Sequence, residues 1–422
     1  MKDEKPLGEF IHRENCRFCG SDEVVMFLNM GNVPLAGGFL AKNEIHNEKY
    51  YPLDLWFCKN CYLVQVMNVP NADKVFKRYF YFSSAIQTLS DHFSRYAKEL
   101  SISFLPPGKS FAVEIGCNDG VFLKPLQELG IKCVGVDPAE NVVAVAKQKG
   151  LTVVNNYFIE EVAKDIRNEY GMADAVLTSN SFAHIDDMDE VMRGIKVLLK
   201  DTGVLLIEVH YVRILLEQMQ YDMIYHEHLS YYSLLTLEKF LKRYDMELFD
   251  VKETSIHGGS IRFYARNIGK RQEPVSETVT VLREKELKDK LDFVDTYLGF
   301  GERVNKTKGD LISLLERIKS ENRKIVGYGA SGRATIITNY CGIDSKYLEY
   351  VVDDSPAKVG YYMPGVHLPI KSWPSADYGK PDYVLVFAWS FINEIMKKRD
   401  AYLVSGGKFI LPLPEVKIIP DA

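Results

Sequence analysis

The chain has 422 residues, 46% of them hydrophobic and 26% charged, with a formal net charge of −5. That length holds about two or three domains with buried cores, and the acidic balance excludes a general nucleic-acid binder, which needs a basic face. No stretch approaches the ~18 apolar residues of a membrane span, and Met1-Lys-Asp-Glu-Lys-Pro6 leads into no apolar run, so a cytoplasmic protein with no nucleic-acid or membrane partner is expected, as a monomer or small homo-oligomer.

Residues 1–75 carry two C-x-x-C pairs, Cys16/Cys19 and Cys58/Cys61, and the loop-like Met30-Gly-Asn-Val-Pro-Leu-Ala-Gly-Gly-Phe39. Such a segment is too small and glycine-rich to fold on apolar burial alone. Four thiolates in two chelating turns supply a tetrahedral zinc set, closed to substrate and therefore structural. A redox dithiol or two unmetallated pairs are the competing readings, although redox C-x-x-C motifs normally sit singly beside a βαβ unit. Cys117, Cys133 and Cys341 read as buried free thiols.

From 76 to 270 strands alternate with helices. Phe111-Ala-Val-Glu-Ile115, Cys133-Val-Gly-Val136, Thr152-Val-Val154, Asp174-Ala-Val-Leu177 and Thr202-Gly-Val-Leu-Leu-Ile-Glu208 predict the strands of an open parallel sheet covered by helices. Residues 271–422 begin with a charged helical connector and continue as a second α/β unit from Lys324-Ile-Val-Gly-Tyr-Gly-Ala330. The expected fold is thus α/β, with a small N-terminal zinc domain, a central Rossmann-like domain and a C-terminal Rossmann-like domain.

The first strand of the middle unit runs into Gly116-Cys-Asn-Asp-Gly120, where an α/β sheet binds a nucleoside-like ligand. Asn118 and Asp119 stand where a phosphate-binding loop has spaced glycines, and an acidic loop suits the cationic amino-acid end of S-adenosylmethionine. Asp137 closes the next strand and is placed for the ribose hydroxyls. The alternative is that Asp119 is a turn residue and Asp137 a helix cap before Pro138.

After the fifth strand, Tyr225-His226-Glu227-His228 concentrates proton-transfer groups. The spacing excludes a His-Glu-x-x-His zinc helix. A Tyr-rich edge with solvated charges is the plain alternative, but Asn180, His184 and Ile256-His257-Gly258-Gly259-Ser260 converge on the same crevice. Carbon methylation needs a base beside a C–H made acidic by a carbonyl, and these residue types provide one.

The ordered set resembles the sugar C-methyltransferases that act on nucleotide-linked 4-keto-deoxysugars. It comprises the two knuckles with Pro34-Leu-Ala36, then Tyr79-Phe-Tyr-Phe-Ser83-Ser84, Glu114-Ile-Gly-Cys-Asn-Asp-Gly120, Asn180–His184, Tyr225–His228 and His257–Ser260. Gly327–Ala330, Asn339–Gly342, Pro364-Gly365 and Ala388-Trp389 extend it to the C-terminal unit. The resemblance implies a class I S-adenosylmethionine methyltransferase that deprotonates a ketosugar to an enolate, with His228 as base, Tyr225 and Glu227 in support, and His184 nearby. It places Tyr81, Ser84, Gly116, Asn118, Asp119, Asp137 and Asn180 at the cofactor. It places His257, Gly258, Tyr328 and Arg333 at the sugar nucleotide, between the last two domains. One departure is that Ser331-Gly-Arg-Ala334 stands where the family has a Pro-Ala-Lys-Gly-like run, so that Arg333 is the residue to supply positive charge. O- or N-methylation on the same scaffold, or nucleotide binding without catalysis, are the alternative functions.

Overall fold

The computed structural model describes residues 6–77, 82–373 and 380–420. Its centre is a seven-stranded sheet. In spatial order the strands are Met246–Thr254, Ser260–Asn267, Leu199–His210, Ala173–Ser179, Phe111–Ile115, Lys132–Val136 and Val153–Val154. Phe111–Ile115 is buried at every position, as a parallel strand covered on both faces must be. The chain winds outward from that strand in both directions, which opens a crevice at the carboxyl ends of the neighbouring strands.

The five predicted strands form, and all pair in parallel. Two further strands, Met246–Thr254 and Ser260–Asn267, make the sheet mixed instead of wholly parallel, because they pair antiparallel along one edge. Ser260–Asn267 carries Arg262 among its apolar residues, and burial of that arginine depends on Glu208 of the adjacent strand, which binds it through Nη2 at 2.7 Å. Along Leu199–His210 the side chains alternate between two cores. Leu205, Ile207 and Val209 join one with Met192 and Ile195, while Val204 and Leu206 join the other with Leu89, Phe93 and Ala97.

The N-terminal segment builds a sheet from Val24–Pro34, Tyr50–Cys58 and Val64–Val66, whose fourth strand is Ser230–Tyr231 from the middle of the chain. The apolar surface missing from its sequence is supplied by a neighbour. Phe57 stacks on Tyr297 of the long helix Val294–Ser320 at 4.4 Å. That helix buries Tyr297, Phe300, Val304, Leu311, Leu315 and Ile318, the stripe expected for helical spacing.

The C-terminal sheet orders Ile370–Lys371, Val351–Val352, Ile325–Tyr328, Tyr383–Val386, Lys408–Leu411 and Lys417–Ile419, with the last strand antiparallel. Two of its motifs meet at Gly365, where φ is +77° and a Cβ would lie 2.0 Å from Asn339 Oδ1. Asn339 Nδ2 also donates to the Pro364 carbonyl at 3.0 Å. Among the described residues no helix is long and apolar enough to cross a membrane.

Candidate active site

The four knuckle cysteines converge. Their Sγ atoms all lie within 4.8 Å of one another, with Cys16–Cys61 at 3.5 Å and Cys19–Cys58 at 3.6 Å. A tetrahedron with Zn–S bonds of ~2.3 Å has sulfur–sulfur edges of about 3.8 Å, so the set fits zinc and leaves no open position. Gly20 turns the first knuckle at φ +71°, and Tyr62 turns the second at φ +69°. Phe18, inside the first knuckle, stacks on Phe240 at 4.0 Å, so the metal site is welded to the central domain.

A cavity of about 390 Å³ lies at the carboxyl ends of the central strands, lined by Gly116, Asn118, Asp137, Asn180 and His184 among others. Its size suits a nucleoside-sized ligand. Gly116 has φ +73°, and a Cβ there would lie 2.3 Å from that of Ser181, so only glycine lets these two loops cross. Asn118 and Asn180 adopt left-handed φ of +51° and +59°, which asparagine tolerates better than most residues. Asp137 accepts from Asn118 N on Oδ2 and from Ala139 N on Oδ1, each at 2.9 Å. Among the described residues each oxygen takes one bond, which leaves each able to accept a hydroxyl. Asp137 is thus both the cap of the sequence-level alternative and a cavity wall. Burial raises its pKa against the two backbone donors.

Asp119 departs from its expected place. It is buried but does not line the cavity, and its carboxylate takes Ser84 N at 3.2 Å, the Ser84 hydroxyl, and Lys149 Nζ at 3.2 Å. The acidic loop is therefore neutralised internally, and Asp119 and Ser84 tie the segment ahead of the domain to the Gly116–Gly120 loop. Ser83, whose N–H donates to Asn118 Oδ1 at 3.1 Å, reaches the cavity instead. Tyr81 lies outside the described residues.

His184 lines the cavity and stacks on Phe76 at 5.5 Å and on His228 at 5.3 Å. Tyr225 packs on His228 at 4.1 Å. His228 Nδ1 lies 2.8 Å from the Met223 carbonyl. A carbonyl only accepts, so Nδ1 carries the proton and Nε2 the lone pair. Burial and the neighbouring His228 push His184 down to about 3, and burial pushes His228 down to about 4. Glu227 faces the Pro34–Gly38 loop, where a methyl on Gly37 would lie 3.7 Å from its Oε1. His226 points to the zinc domain and donates to the Pro52 carbonyl at 3.1 Å.

His257 sits at φ +54° in a turn with Gly258, whose carbonyl accepts from Gln220 Nε2 at 2.9 Å. Arg333 and Tyr328 are not where a free substrate contact would leave them. Arg333 pairs with Asp222 through Nε at 2.7 Å and Nη2 at 3.1 Å, and the Tyr328 hydroxyl donates to Asp354 at 2.5 Å. The buried Asp222, which also accepts from Trp389 Nε1 at 2.8 Å, went unread in the sequence, as did His210. Asp222 stands three residues before Tyr225, the one signal that was available.

A zinc binding domain model matches residues 16–76, a methyltransferase domain model matches 88–251 and a C-methyltransferase C-terminal domain model matches 255–414. The chain is 31% identical over 407 residues to C-methyltransferase NovU of Streptomyces niveus, covering 96% of this chain and 97% of that one. A ubiquinone biosynthesis O-methyltransferase of Rhodopseudomonas palustris is 28% identical over 100 residues, 22% of this chain and 38% of its own length. Among solved structures, an S-adenosylmethionine-dependent methyltransferase from Clostridium acetobutylicum aligns with a TM-score of 0.34 at 15% identity, over 43% of this chain and 92% of that one.

Proposed function

The chain belongs to the S-adenosylmethionine-dependent C-methyltransferases with an N-terminal zinc domain, and from that membership we propose that it methylates the carbon beside the keto group of a nucleotide-linked 4-keto-deoxysugar. Asp137, Asn118, Asn180 and Gly116 hold the cofactor in the 390 Å³ cavity. That cofactor supplies a methyl group on a cationic sulfur.

The observation that carries the reading is the His228 tautomer. With Nδ1–H spent on Met223 O, Nε2 presents a lone pair beside His184, which itself lines the cavity. Nε2 takes the proton from the carbon next to the ketone. The C–H electron pair becomes the C=C bond of an enolate, and the carbonyl π pair moves onto oxygen. The resulting carbon nucleophile would take the methyl group as the bond from the methyl carbon to the cationic sulfur breaks, its electron pair staying on the sulfur as a neutral thioether and the ketone re-forming. Tyr225, packed on His228, supports the imidazole, and Glu227 borders the same segment.

The segment is attached to both flanking domains. Ser230 pairs with Gln65 of the zinc domain, His226 with Pro52 O, and Asp222 with Arg333 of the C-terminal domain. Positioning of this kind accounts for much of an enzyme's rate enhancement when two substrates must meet. The test is a panel of nucleotide-linked ketosugars incubated with methyl-labelled cofactor, with the product read by proton NMR. Loss of the signal of the proton α to the ketone, with the new methyl on that carbon, is the expected result. A methyl carried on oxygen or nitrogen overturns the reading.

A further inference from the structure

Arg17 stands between the two ligands of the first knuckle, Cys16 and Cys19, and its side chain is 0% exposed. Its backbone N–H donates to Gln65 Oε1 at 3.0 Å, and its guanidinium donates to the Val66 carbonyl through Nη2. A guanidinium removed from water needs a negative partner. Among the described residues the carboxylate it pairs with is Asp186, whose Oδ1 lies 3.5 Å from Nη1. The same oxygen accepts from Arg13 Nε at 2.7 Å, and the Asp186 carbonyl accepts from Arg13 Nη2 at 3.4 Å. Arg13 directly follows the strand Phe10–His12, which pairs with Asn68–Pro70.

Asp186 belongs to the central domain and lines the cofactor cavity, whereas neither arginine does. It stands at the end of the loop that leaves the strand Ala173–Ser179 and carries Asn180 and His184 along the cavity wall. Midway, this loop is tied to the segment that holds His228. Leu229 N donates to the Ala183 carbonyl at 2.8 Å, and the Tyr232 hydroxyl donates to the Phe182 carbonyl at 2.9 Å. At Asp186 the bonds run instead to the zinc domain, which also supplies Val69, Pro70, Ala72 and Val75 to the cavity lining. The cavity therefore lies between two domains, and Asp186 is the point where the charges of one meet the wall of the other.

We propose that Asp186 is a positioning residue that couples the zinc knuckle to cofactor binding. Arg17 and Arg13 hold its carboxylate and so fix the loop of Asn180 and His184 in the shape that receives S-adenosylmethionine. Closure of the knuckle around Arg17 raises cofactor affinity, and by reciprocity the cofactor raises zinc affinity by the same factor. The coupling concerns the cofactor and holds whichever atom of the substrate is methylated.

The test uses the full-length, zinc-loaded protein and the demethylated cofactor, S-adenosylhomocysteine, whose affinity is read by calorimetry. Zinc content and melting temperature are measured on every variant. Arg17→Met, which changes no residue of the cavity wall, weakens binding about tenfold. In an Asp186→Asn background the same change has little further effect, because the two side chains act as one pair. Phe57→Leu loosens the zinc domain at its stack on Tyr297 instead. It lowers the melting temperature and leaves affinity within about twofold, whereas a merely structural role for Arg17 makes affinity follow melting temperature in both variants. Equilibrium competition with a chromophoric chelator then gives zinc affinity with and without saturating S-adenosylhomocysteine. The ligand raises it in wild type, and the rise is about tenfold smaller in Arg17→Met. Wild-type affinity in a folded Arg17→Met protein, an equal loss in both backgrounds, or a wild-type zinc affinity indifferent to the ligand overturns the coupling. Should Arg17→Met not fold, the chelator competition on wild type and Asp186→Asn decides. A rise in wild type that is lost in Asp186→Asn supports the coupling, and an equal rise in both overturns it.

Discussion

Arg333 and Asp222 form a two-point ion pair between the C-terminal and central domains, with Asp222 wholly buried and Arg333 17% exposed. Trp389 completes the clamp by donating to the same carboxylate, and its ring lies 4.8 Å from the guanidinium carbon. Removing one member of a buried pair strands the other, which typically costs about 3–5 kcal/mol. Arg333→Ala therefore lowers the melting temperature and, by loosening the segment that leads to Tyr225–His228, lowers kcat. Cofactor affinity by calorimetry stays close to wild type, because neither residue lines the cofactor cavity. Weaker cofactor binding at unchanged kcat would refute the clamp.

Zinc is expected at about one ion per chain by metal analysis. Cys58→Ser leaves three thiolates and frees the knuckle that packs Phe18 onto Phe240. Soluble yield and melting temperature fall, and activity falls with them through the shared strand Ser230–Tyr231. A metal-free protein with full stability and turnover would exclude a structural zinc.

Strand order near the cofactor loop was legible because Phe111–Ile115 and its neighbours are short apolar runs that end in glycine or aspartate turns. The knuckles were legible because chelation imposes a spacing. What escaped were features made by partners distant in sequence. Asp119 and Lys149 are separated by 30 residues, and nothing local shows that the lysine neutralises the acidic loop. Arg333 read as a free cation, since its partner lies 111 residues earlier. His210 lay beyond the predicted strand end at Glu208, and its burial comes from the strand's continuation against Ser260, more than 45 residues later.

Asp137→Ala removes a carboxylate that faces the cavity and that, among the described residues, accepts from two backbone N–H groups. S-adenosylmethionine binding should weaken by about 1–3 kcal/mol. Asp119→Asn should weaken it less, since that residue acts through Ser84 and Lys149 and does not line the cavity. Calorimetric affinities in the reverse order would place the cofactor against Asp119 instead.

The base assignment has a pH signature. His228 must be unprotonated to take the α-proton, so activity is present above its pKa and lost as pH falls through it. Burial lowers that pKa from 6.5 to about 4. The acid limb of kcat/KM, which reports the free enzyme, therefore lies well below the usual imidazole range. Between pH 8 and 5.5 the value stays nearly flat, whereas an ordinary histidine would be only about one-tenth unprotonated at the lower end. Zinc content is checked at each pH so that metal loss is not mistaken for titration. His228→Asn lowers kcat by roughly 10²–10⁴-fold with little change in substrate affinity, because the lost interaction acts in the transition state. Tyr225→Phe has a smaller effect if the ring only supports the imidazole. An acid limb near 6.5, or near-normal turnover by His228→Asn while Tyr225→Phe or His184→Asn abolishes it, would move the base to another residue and leave carbon methylation standing.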